Sequence, residues 1–547
     1  MTSPSINTES FESVTFPDNF AYRSLQLKIG ALPRQMTGMP DLPEKTVSLL
    51  PIKNQKVAEL MKRESQEEKP HSKESIDFTP HTAEIEEKLH HDRIPTSAEH
   101  PPKFVKPVCY EPSFLFEAHL LTSYFQHPPY EVFSAKIFNT RELTKPGAQK
   151  RTFHFDLDVS DYPIESGVDF KVGGAIGVQA PNEESMVEEL MDVLSIPRVA
   201  RDRKVIVKTT GGRWPTIWGE EKPRELISTR RDLLTWCADI QSYPPTKSLL
   251  RLMAEYATDQ NEKKILNYLC SAEGQGAFCD LRTGLHITLP QLLQAFPSSK
   301  PPLDHLLSVL KQLMPRFYSL SNDPHENCIP VEGCSRLIEI AVTVHTTNNW
   351  KGGERTGLAS GFFERQARKF IEAEARGEKN IDLRVPMFKG LMSNPLAREF
   401  VSDGPMLLIG AGVGVAPFRG FVQRRLKNAN CANKVWVLQG VRDSLLDELY
   451  SGEWGVHEDE VKKVVQSRQG VGRYVQEEVK HQKDLCWFVI NALDGRIFVC
   501  GSSKGMGEGV EKALIEVAMD MGNMSHEEAE EFWKLKKEAG QYIAETW

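Results

Sequence analysis

The sequence has few cysteines for its length, and none is placed for a metal centre or a disulfide framework. Its nine cysteines among 547 residues are scattered, without a Cys-x-x-Cys pair. This pattern argues against a structural zinc site, a ferredoxin-type cluster and a disulfide-stapled fold, and we expect no bound metal. Because unpaired, scattered cysteines are typical of a reducing compartment, we predict a cytoplasmic protein.

Long apolar runs and blocks of one charge are also missing. No stretch is apolar over the roughly 20 residues that a membrane helix needs, and the first ten residues contain neither a basic nor an apolar region. The sequence therefore predicts no membrane anchor. Its net charge is −8 and its basic residues are dispersed, which argues against a nucleic-acid partner.

The remaining composition is that of a globular protein of two or three domains, with 40% hydrophobic and 26% charged residues. Residues 1–105 are rich in Ser, Pro, Glu, Lys and His, and we predict them to be largely disordered. Short alternating runs over 106–185 and 302–400 predict an antiparallel β-barrel. Helical periodicity occupies 186–301, and alternating strands and helices over 401–547 predict a doubly wound parallel sheet. The expected fold class is α/β plus all-β.

A glycine-rich turn is the most informative segment of the chain. An apolar run, residues 405–409, leads into Gly410, Gly412 and Gly414, and Pro417 follows at the expected start of a helix. Glycines allow the backbone to approach a pyrophosphate closely, and the positive end of a helix favours its negative charge. Such a turn alone also occurs without a ligand, so the motifs around it decide the interpretation.

Three further motifs accompany that turn: Arg316-Phe-Tyr-Ser319 upstream, Cys500-Gly501 downstream, and an acid two residues before the terminal Trp547. In this order the four motifs resemble the FAD- and NADPH-binding half of the diflavin reductases, namely cytochrome P-450 reductase, the sulfite reductase flavoprotein and the reductase half of nitric oxide synthase. The resemblance implies a ferredoxin-NADP reductase-like fold with a helical connecting insertion. It also implies FAD and NADPH as cofactors. We find no counterpart of that family's flavodoxin-like FMN domain.

The resemblance assigns an FAD site to six residues, one of which is the terminal Trp547. Arg316 would bind the flavin pyrophosphate, Tyr318 would cover one face of the flavin, and Ser319 would reach its N5 edge. Gly357 and Ser360 follow at the family spacing, where the start of a helix would lie against the phosphates.

A second set of residues would recognise the 2′-phosphate that distinguishes NADPH from NADH. Arg442 follows the next expected strand, and Ser467, Arg468, Tyr474 and Gln476 resemble the family's Ser-Arg…Tyr-Val-Gln element. Cations and hydroxyls at these positions would bind the phosphate through charge-assisted hydrogen bonds.

By the same resemblance, Ser319, Cys500, Glu545 and Trp547 would form the site of hydride transfer. Cys500 would lie beside the nicotinamide, and Glu545 would orient the serine and cysteine and stabilise the cationic ring. Trp547 would cover the second face of the flavin until nicotinamide displaces it. Without the resemblance, a strand cysteine is more often a core residue, and a terminal tryptophan is more often a frayed end.

Several positions depart from the family pattern and keep three hypotheses open. Glu545 and Ser502 each stand where the family has Asp, His345 lies where a Tyr stacks on the adenine, and Gly472 or Arg473 falls where a Lys is common. The first hypothesis is an FAD enzyme that takes hydride from NADPH and passes electrons to a separate acceptor protein, such as a flavodoxin, a ferredoxin, a haem protein or a partner subunit. The second is direct reduction of a small quinone or biosynthetic intermediate. The third is a catalytically weakened subunit that acts as an interaction scaffold.

Overall fold

The computed structural model describes most of the chain after residue 108. The region predicted to be disordered, residues 1–105, lies outside the described residues. The described ranges are 109–112, 126–127, 130–163, 170–209, 224–284, 287–324, 336–348, 354–390, 396, 404–426, 434–455, 458–468, 470, 472–492 and 494–547.

Most strands fall into two groups, and a mostly helical region interrupts the first group. In chain order they are β1 (Cys109–Pro112), β2 (Gln126–His127), β3 (Tyr130–Glu131), β4 (Phe133–Glu142), β5 (Thr152–Asp158), β6 (Ala175–Val178), β7 (Lys204–Thr209), β8 (Arg224–Thr229), β9 (Arg316–Ser319), β10 (Leu337–Thr343), β11 (Thr346–Asn348), β12 (Glu354–Thr356), β13 (Arg384–Lys389), β14 (Met406–Ala411), β15 (Val435–Val441), β16 (Lys462–Gln466), β17 (Arg496–Gly501) and β18 (Tyr542–Thr546).

Helices fill the region that interrupts the first group of strands and alternate with the strands of the second group. They are α1 (Glu184–Val193), α2 (Arg198–Arg201), α3 (Arg230–Asp232), α4 (Lys247–Tyr256), α5 (Gln260–Cys270), α6 (Gln275–Gly284), α7 (Leu289–Ala295), α8 (Leu303–Val309), α9 (Leu358–Ala375), α10 (Ala416–Leu426), α11 (Glu458–Val461), α12 (Val475–His481), α13 (Lys483–Asn491), α14 (Glu508–Gly522) and α15 (His526–Glu538). Across the described ranges, every helix is too short or too polar to cross a lipid bilayer.

The first group of strands forms a six-stranded antiparallel sheet in the order β10-β5-β4-β13-β6-β9. Helix α9 packs against this sheet because Phe363, Ala367 and Phe370 recur at helical spacing and are buried. Beyond the end of β9, an isolated bridge pairs Leu320 with Ile340 of β10. The two outer strands of the sheet order are therefore linked directly.

The second group forms a five-stranded sheet in the order β16-β15-β14-β17-β18, and every neighbouring pair is parallel. Residues 406–409 of β14 are all buried, as expected for a central strand with helices on both faces. The chain moves outward from β14 to β16 and then returns to the other side of β14 with β17. The sheet order therefore reverses between β14 and β17, where such sheets bind ligands beyond the carboxyl ends of their strands.

The connecting region, residues 186–301, is less uniformly helical than the sequence suggested. Strands β7 and β8 lie within it and form a three-stranded antiparallel sheet with β1. The segment Lys204–Thr209 alternates, with Val205 and Val207 buried, and its β-branched residues favour a strand. This short signal was outweighed by the long helical stretches on its carboxyl-terminal side.

Candidate functional site

We call β9 the flavin-signature strand, because the family resemblance assigns its residues 316–319 to the flavin. This strand and the C-terminal strand β18 meet at the ends of two different sheets. Ser319 is the last residue of β9, and its hydroxyl donates toward both carboxylate oxygens of Glu545 at 3.4 Å. Glu545 in turn lies opposite Cys500 in the parallel pairing of β17 with β18. Folding therefore brings Ser319, Cys500 and Glu545 into one cluster.

Cys500 is completely buried at the end of β17. Burial raises the pKa of its thiol well above the ordinary value, and the neighbouring Glu545 carboxylate raises it further. The side chain is therefore a neutral thiol near neutral pH. This state suits a small apolar neighbour of a bound ring better than a thiolate nucleophile.

The chain terminus is held by backbone hydrogen bonds. The Trp547 amide donates to the Gly501 carbonyl at 3.1 Å, and the Ser503 amide donates to the Trp547 carbonyl at 2.8 Å. Trp547 nevertheless remains 58% exposed. The indole is thus attached to a fixed backbone two residues beyond Glu545, with most of its surface free to contact a ligand.

The glycine-rich turn leaves β14 at the point where the sheet order reverses. Gly412 has a φ of +54°, with no atom within 4 Å of the place where a Cβ would lie. Gly414 is different, because a Cβ there would lie 2.2 Å from the carbonyl oxygen of Cys500. Helix α10 begins directly after the turn, and Pro417 lies in its first turn. Only a residue without a side chain fits at position 414, so the buried Gly414 packs directly against the backbone at the end of β17.

Arg316 and Tyr318 lie on β9 in different surroundings. Tyr318 is half-buried and meets the Phe363 ring edge-on, with 5.1 Å between centroids. The Arg316 guanidinium donates to the Met314 carbonyl at 2.7 Å and lies 3.9 Å from the Oδ2 atom of Asp239. The Asp239 side chain is fully buried, and no described residue donates a hydrogen bond to Oδ2. Sequence analysis did not single out Asp239, which belongs to the connecting region.

Gly357 and Ser360 connect the start of α9 to the segment before β11. The Gly357 amide donates to the His345 carbonyl at 2.8 Å, and the His345 amide donates to the Ser360 hydroxyl oxygen at 3.1 Å. Gly357 caps the amino terminus of α9 in extended conformation. The exposed His345 side chain is therefore held beside a helix terminus that can bind an anion.

A cluster of cations lies beyond β15 and β16. The Arg468 amide donates to the Arg442 carbonyl at 3.0 Å, and both guanidinium groups donate to the same side-chain oxygen of Gln149, at 2.9 Å for Arg468. Burial lowers the pKa of Arg442, and Arg468 lowers it further. Burial and Arg442 likewise lower the pKa of Lys150. Ser467 precedes Arg468, and its hydroxyl donates to the Val441 carbonyl at 3.2 Å.

Gln149 and Lys150 come from the loop between β4 and β5, and sequence analysis did not identify them. The same loop is anchored near the cluster by a hydrogen bond from the Lys145 amide to the Leu446 carbonyl at 2.9 Å. Gln149 and Arg442 are 293 residues apart in the chain, so no local pattern in the sequence could connect them.

The residues after Arg468 have different partners. The Arg473 guanidinium donates to the buried carboxylate of Glu478 at 3.0 Å. Tyr474 is 46% exposed, and its hydroxyl is close enough to Arg442 to affect the pKa of that guanidinium. Gln476 lies against Gly509, where a Cβ would be 3.0 Å from the Gln476 Cγ. Arg473 is thus bound within the domain, whereas Tyr474 lies beside the cation cluster.

One group of potential metal ligands occurs among the described residues: His154, Asp156 and Glu339, whose ligand atoms lie within 4.8 Å of one another. The His154 Nδ1 atom is 2.9 Å from the Tyr450 hydroxyl, and its Nε2 atom is 2.7 Å from Asp156. Glu339 accepts a hydrogen bond from Arg419. Because protein partners already use these atoms, we interpret the group as a buried polar network.

Comparison with known proteins agrees with this arrangement. Residues 127–362 match the family model described as an FAD binding domain, and residues 408–512 match that of an oxidoreductase NAD-binding domain. Two proteins of Schizosaccharomyces pombe, both described as uncharacterised FAD-binding proteins, are 43% and 46% identical to this chain. The alignments cover 97% and 80% of this chain, and 88% and 72% of those proteins. The NADPH–cytochrome P450 reductase of Cavia porcellus is 26% identical over 77% of this chain and 60% of the reductase.

An FAD-binding domain followed by a nucleotide-binding parallel sheet defines an FAD- and NADPH-dependent oxidoreductase. More particularly, the chain belongs to the family of FAD-binding proteins that includes the two Schizosaccharomyces pombe relatives and is homologous to the FAD/NADPH module of NADPH–cytochrome P450 reductase. The predicted cofactors, FAD and NADPH, are confirmed by these matches.

Proposed function

We propose that this protein accepts hydride from NADPH on bound FAD and passes the electrons to a separate acceptor protein. The observation that carries the proposal is the contact of Ser319 with Glu545 at 3.4 Å, with Cys500 paired beside Glu545. One member comes from the flavin-signature strand and two come from the parallel sheet. A dinucleotide bound at the sheet reversal and a flavin bound on β9 would therefore meet at this cluster.

On the FAD side, we propose that the six-stranded sheet closes into a barrel, a closure supported by the Leu320–Ile340 bridge. FAD supplies the hydride acceptance and single-electron chemistry. Arg316, with its geometry set by the buried Asp239, would bind the pyrophosphate. Tyr318 would offer its ring to one face of the flavin.

Gly357 and Ser360 would complete the phosphate site at the start of α9. Gly357 leaves the helix terminus open, and Ser360 keeps a hydroxyl proton to donate while its oxygen accepts from the His345 amide. His345 is exposed at the position of the family's adenine-stacking Tyr, and we propose that its imidazole takes that role.

On the NADPH side, Gly410, Gly412 and Gly414 would bring backbone amides to the pyrophosphate, with Pro417 opening the helix behind them. The close approach of Gly414 to the Cys500 carbonyl holds this turn directly beside the end of β17, where the nicotinamide would lie.

The 2′-phosphate would displace the Gln149 side-chain oxygen that now accepts from Arg442 and Arg468. Ser467 would add a hydroxyl, and Tyr474 and Gln476 would border the ribose and adenine.

At the reacting centre, Ser319 would donate a hydrogen bond to the flavin edge, and the Glu545 carboxylate would stabilise the positive charge that nicotinamide gains as it loses hydride. Cys500 would fill the space beside the ring as a neutral thiol. Trp547 would stack on the flavin and move aside when nicotinamide binds, which its exposed indole and fixed backbone permit.

An acceptor protein is proposed from the homology to NADPH–cytochrome P450 reductase, whose name pairs it with a cytochrome. The test uses the full chain, loaded with FAD and mixed anaerobically with NADPH. We expect the flavin absorbance to bleach, and we expect the reduced protein to be reoxidised faster by added flavodoxin, ferredoxin or cytochrome than by small quinones. Failure of NADPH to bleach the bound flavin would refute the proposed reaction, whereas a preference for quinones would replace only the acceptor.

A further inference from the structure

Helix α10 connects the glycine-rich turn to the segment that follows the flavin-signature strand. The flavin segment, as we name residues 321–323, begins two residues after the end of this strand. Its members Ser321, Asn322 and Asp323 are all fully buried. The Arg424 guanidinium donates two hydrogen bonds to the Asp323 carboxylate, both at 2.9 Å. The Asp323 amide donates to the Gln423 side-chain oxygen, also at 2.9 Å. Both partners belong to α10, so one end of this helix holds the flavin segment through paired hydrogen bonds.

The backbones of the two segments are also in direct contact. A Cβ at Gly420 of α10 would lie 2.6 Å from the Asn322 carbonyl oxygen and 3.2 Å from the Asp323 amide nitrogen. Since both are backbone atoms, no side chain can rotate away to make room. The spacing between α10 and the flavin segment is therefore set by backbone packing as well as by ion pairs.

Arg419 makes the third connection. Its guanidinium donates to Glu339 of β10, to the Ser321 carbonyl at 3.3 Å and to Glu453 at 3.3 Å, and lies 4.8 Å from the centre of the Tyr450 ring. Burial alone would lower the pKa of Arg419, but Glu339, Tyr450 and Glu453 raise it to a net upward shift. The cation is therefore fixed between the two sheets.

Along the chain, few residues separate these contacts from the flavin-signature strand and from the glycine-rich turn. Ser321 is the second residue after Ser319, and Arg419 lies five residues after Gly414, within the first turns of α10. We infer that Arg419 and Arg424 are positioning residues for hydride transfer. They act through α10, where they fix the distance between the glycine-rich turn and the flavin-signature strand. This inference rests on the proposed function. Neither arginine is assigned to contact either cofactor.

The experiment compares Arg424→Ala, Arg424→Lys, Arg419→Met and Gly420→Ala with the wild-type holoenzyme. Flavin reduction by NADPH, and by NADPH deuterated at the transferred position, is followed by stopped flow, together with FAD content and thermal unfolding. Arg384→Ala is the control, because Arg384 pairs at 2.7 Å with Asp382 two residues away and makes no contact between the sheets.

We expect the limiting rate of flavin reduction to fall about tenfold or more in Arg424→Ala and Arg419→Met, because displacements of an ångström can cost a hundredfold. The apparent Kd for NADPH should change less than about threefold, and the isotope effect should be retained or increased. Arg424→Lys should restore part of the rate, and Gly420→Ala should slow it with every ion pair intact. Arg384→Ala should match wild type.

Variants that hold FAD yet reduce it within about twofold of the wild-type rate would overturn the inference. If Arg424→Ala or Arg419→Met loses FAD, the reduction rates of Arg424→Lys and Gly420→Ala decide whether the inference holds. Arg424→Lys keeps the positive charge, and Gly420→Ala changes no charged residue. A rate loss in step with the loss of thermal stability, without rescue by lysine, would assign the contacts a structural role only. Wild-type protein that NADPH cannot reduce would refute the proposed function itself, and this inference with it.

Discussion

Replacement of Arg468 by alanine tests the predicted preference for NADPH over NADH. The structure gives the expected size of the effect, because Arg468 and Arg442 converge on a single acceptor position now held by the Gln149 oxygen. A charge-assisted hydrogen bond contributes about 1.5–3 kcal/mol. Arg468 is exposed, and solvent screening places its contribution at the lower end. Since about 1.4 kcal/mol corresponds to a factor of ten, the NADPH/NADH ratio of kcat/KM should fall about tenfold.

The assay measures flavin-dependent ferricyanide reduction with each nucleotide, at low and at high salt, and the Kd for 2′,5′-ADP. The loss should appear with NADPH and 2′,5′-ADP and not with NADH, because only the first two carry the phosphate. It should be smaller at high salt, where exposed charges are screened. Lys150→Met should lower the same ratio, since Lys150 is close enough to Arg442 for that cation to lower its pKa.

Arg473→Ala is the matched control. It removes the same charge five residues away, but the Arg473 guanidinium is bound to Glu478 at 3.0 Å and does not face the cluster. We expect the nucleotide ratio to stay within about twofold of wild type in this variant. An unchanged ratio in Arg468→Ala, or an equal loss in Arg473→Ala, would contradict the assignment of the phosphate site.

Three further outcomes are expected at the centre of the site. Gly414→Ala should lower the free energy of unfolding by about 1–3 kcal/mol in denaturant titrations and weaken NADPH binding. The reason is that the added Cβ would lie 2.2 Å from the Cys500 carbonyl oxygen, and an unchanged stability would contradict that close packing. Glu545→Gln should slow flavin reduction about tenfold or more in stopped flow, with FAD content retained, whereas the exposed Glu538→Gln should not. Because burial raises the pKa of its thiol, Cys500 should resist alkylation by iodoacetamide from neutral pH to pH 8, as followed by peptide mapping. The exposed Cys279 should react under the same conditions, and rapid labelling of Cys500 would refute its burial.

Much of the architecture follows from local periodicity. The glycine turn was expected between a strand and a helix, and it lies between β14 and α10. Thr246 follows two prolines and caps α4 through its side chain, a start signal that is local in the sequence. These features depend on a few neighbouring residues, so the sequence contains enough information to place them. Strands β7 and β8 could not be predicted from local periodicity, because a six-residue alternation is a weak signal beside long helices.

The candidate site depends on contacts that no local pattern contains. The approach of Ser319 to Glu545 spans 226 residues and depends on the order of strands at the ends of two sheets. The motif resemblance proposed both residues, whereas Gln149, Lys150 and Asp239 carry no motif at all. Their placement is a consequence of how the β4–β5 loop and the connecting region pack, which only the three-dimensional fold determines.

The cation cluster also bears on whether this fold is an enzyme or an interaction scaffold. The cluster brings together three like charges, those of Arg442, Arg468 and Lys150. The pKa values of Arg442 and Lys150 are lowered first by burial and then by a neighbouring cation, so their surroundings oppose the charged forms. Asp447 compensates Arg442 only in part, because the net shift remains downward. An anion that binds between the cations would relieve this repulsion, as we propose for the 2′-phosphate. The family's missing Lys is therefore weak evidence for lost function, since Lys150 supplies a cation to the same cluster from the opposite sheet.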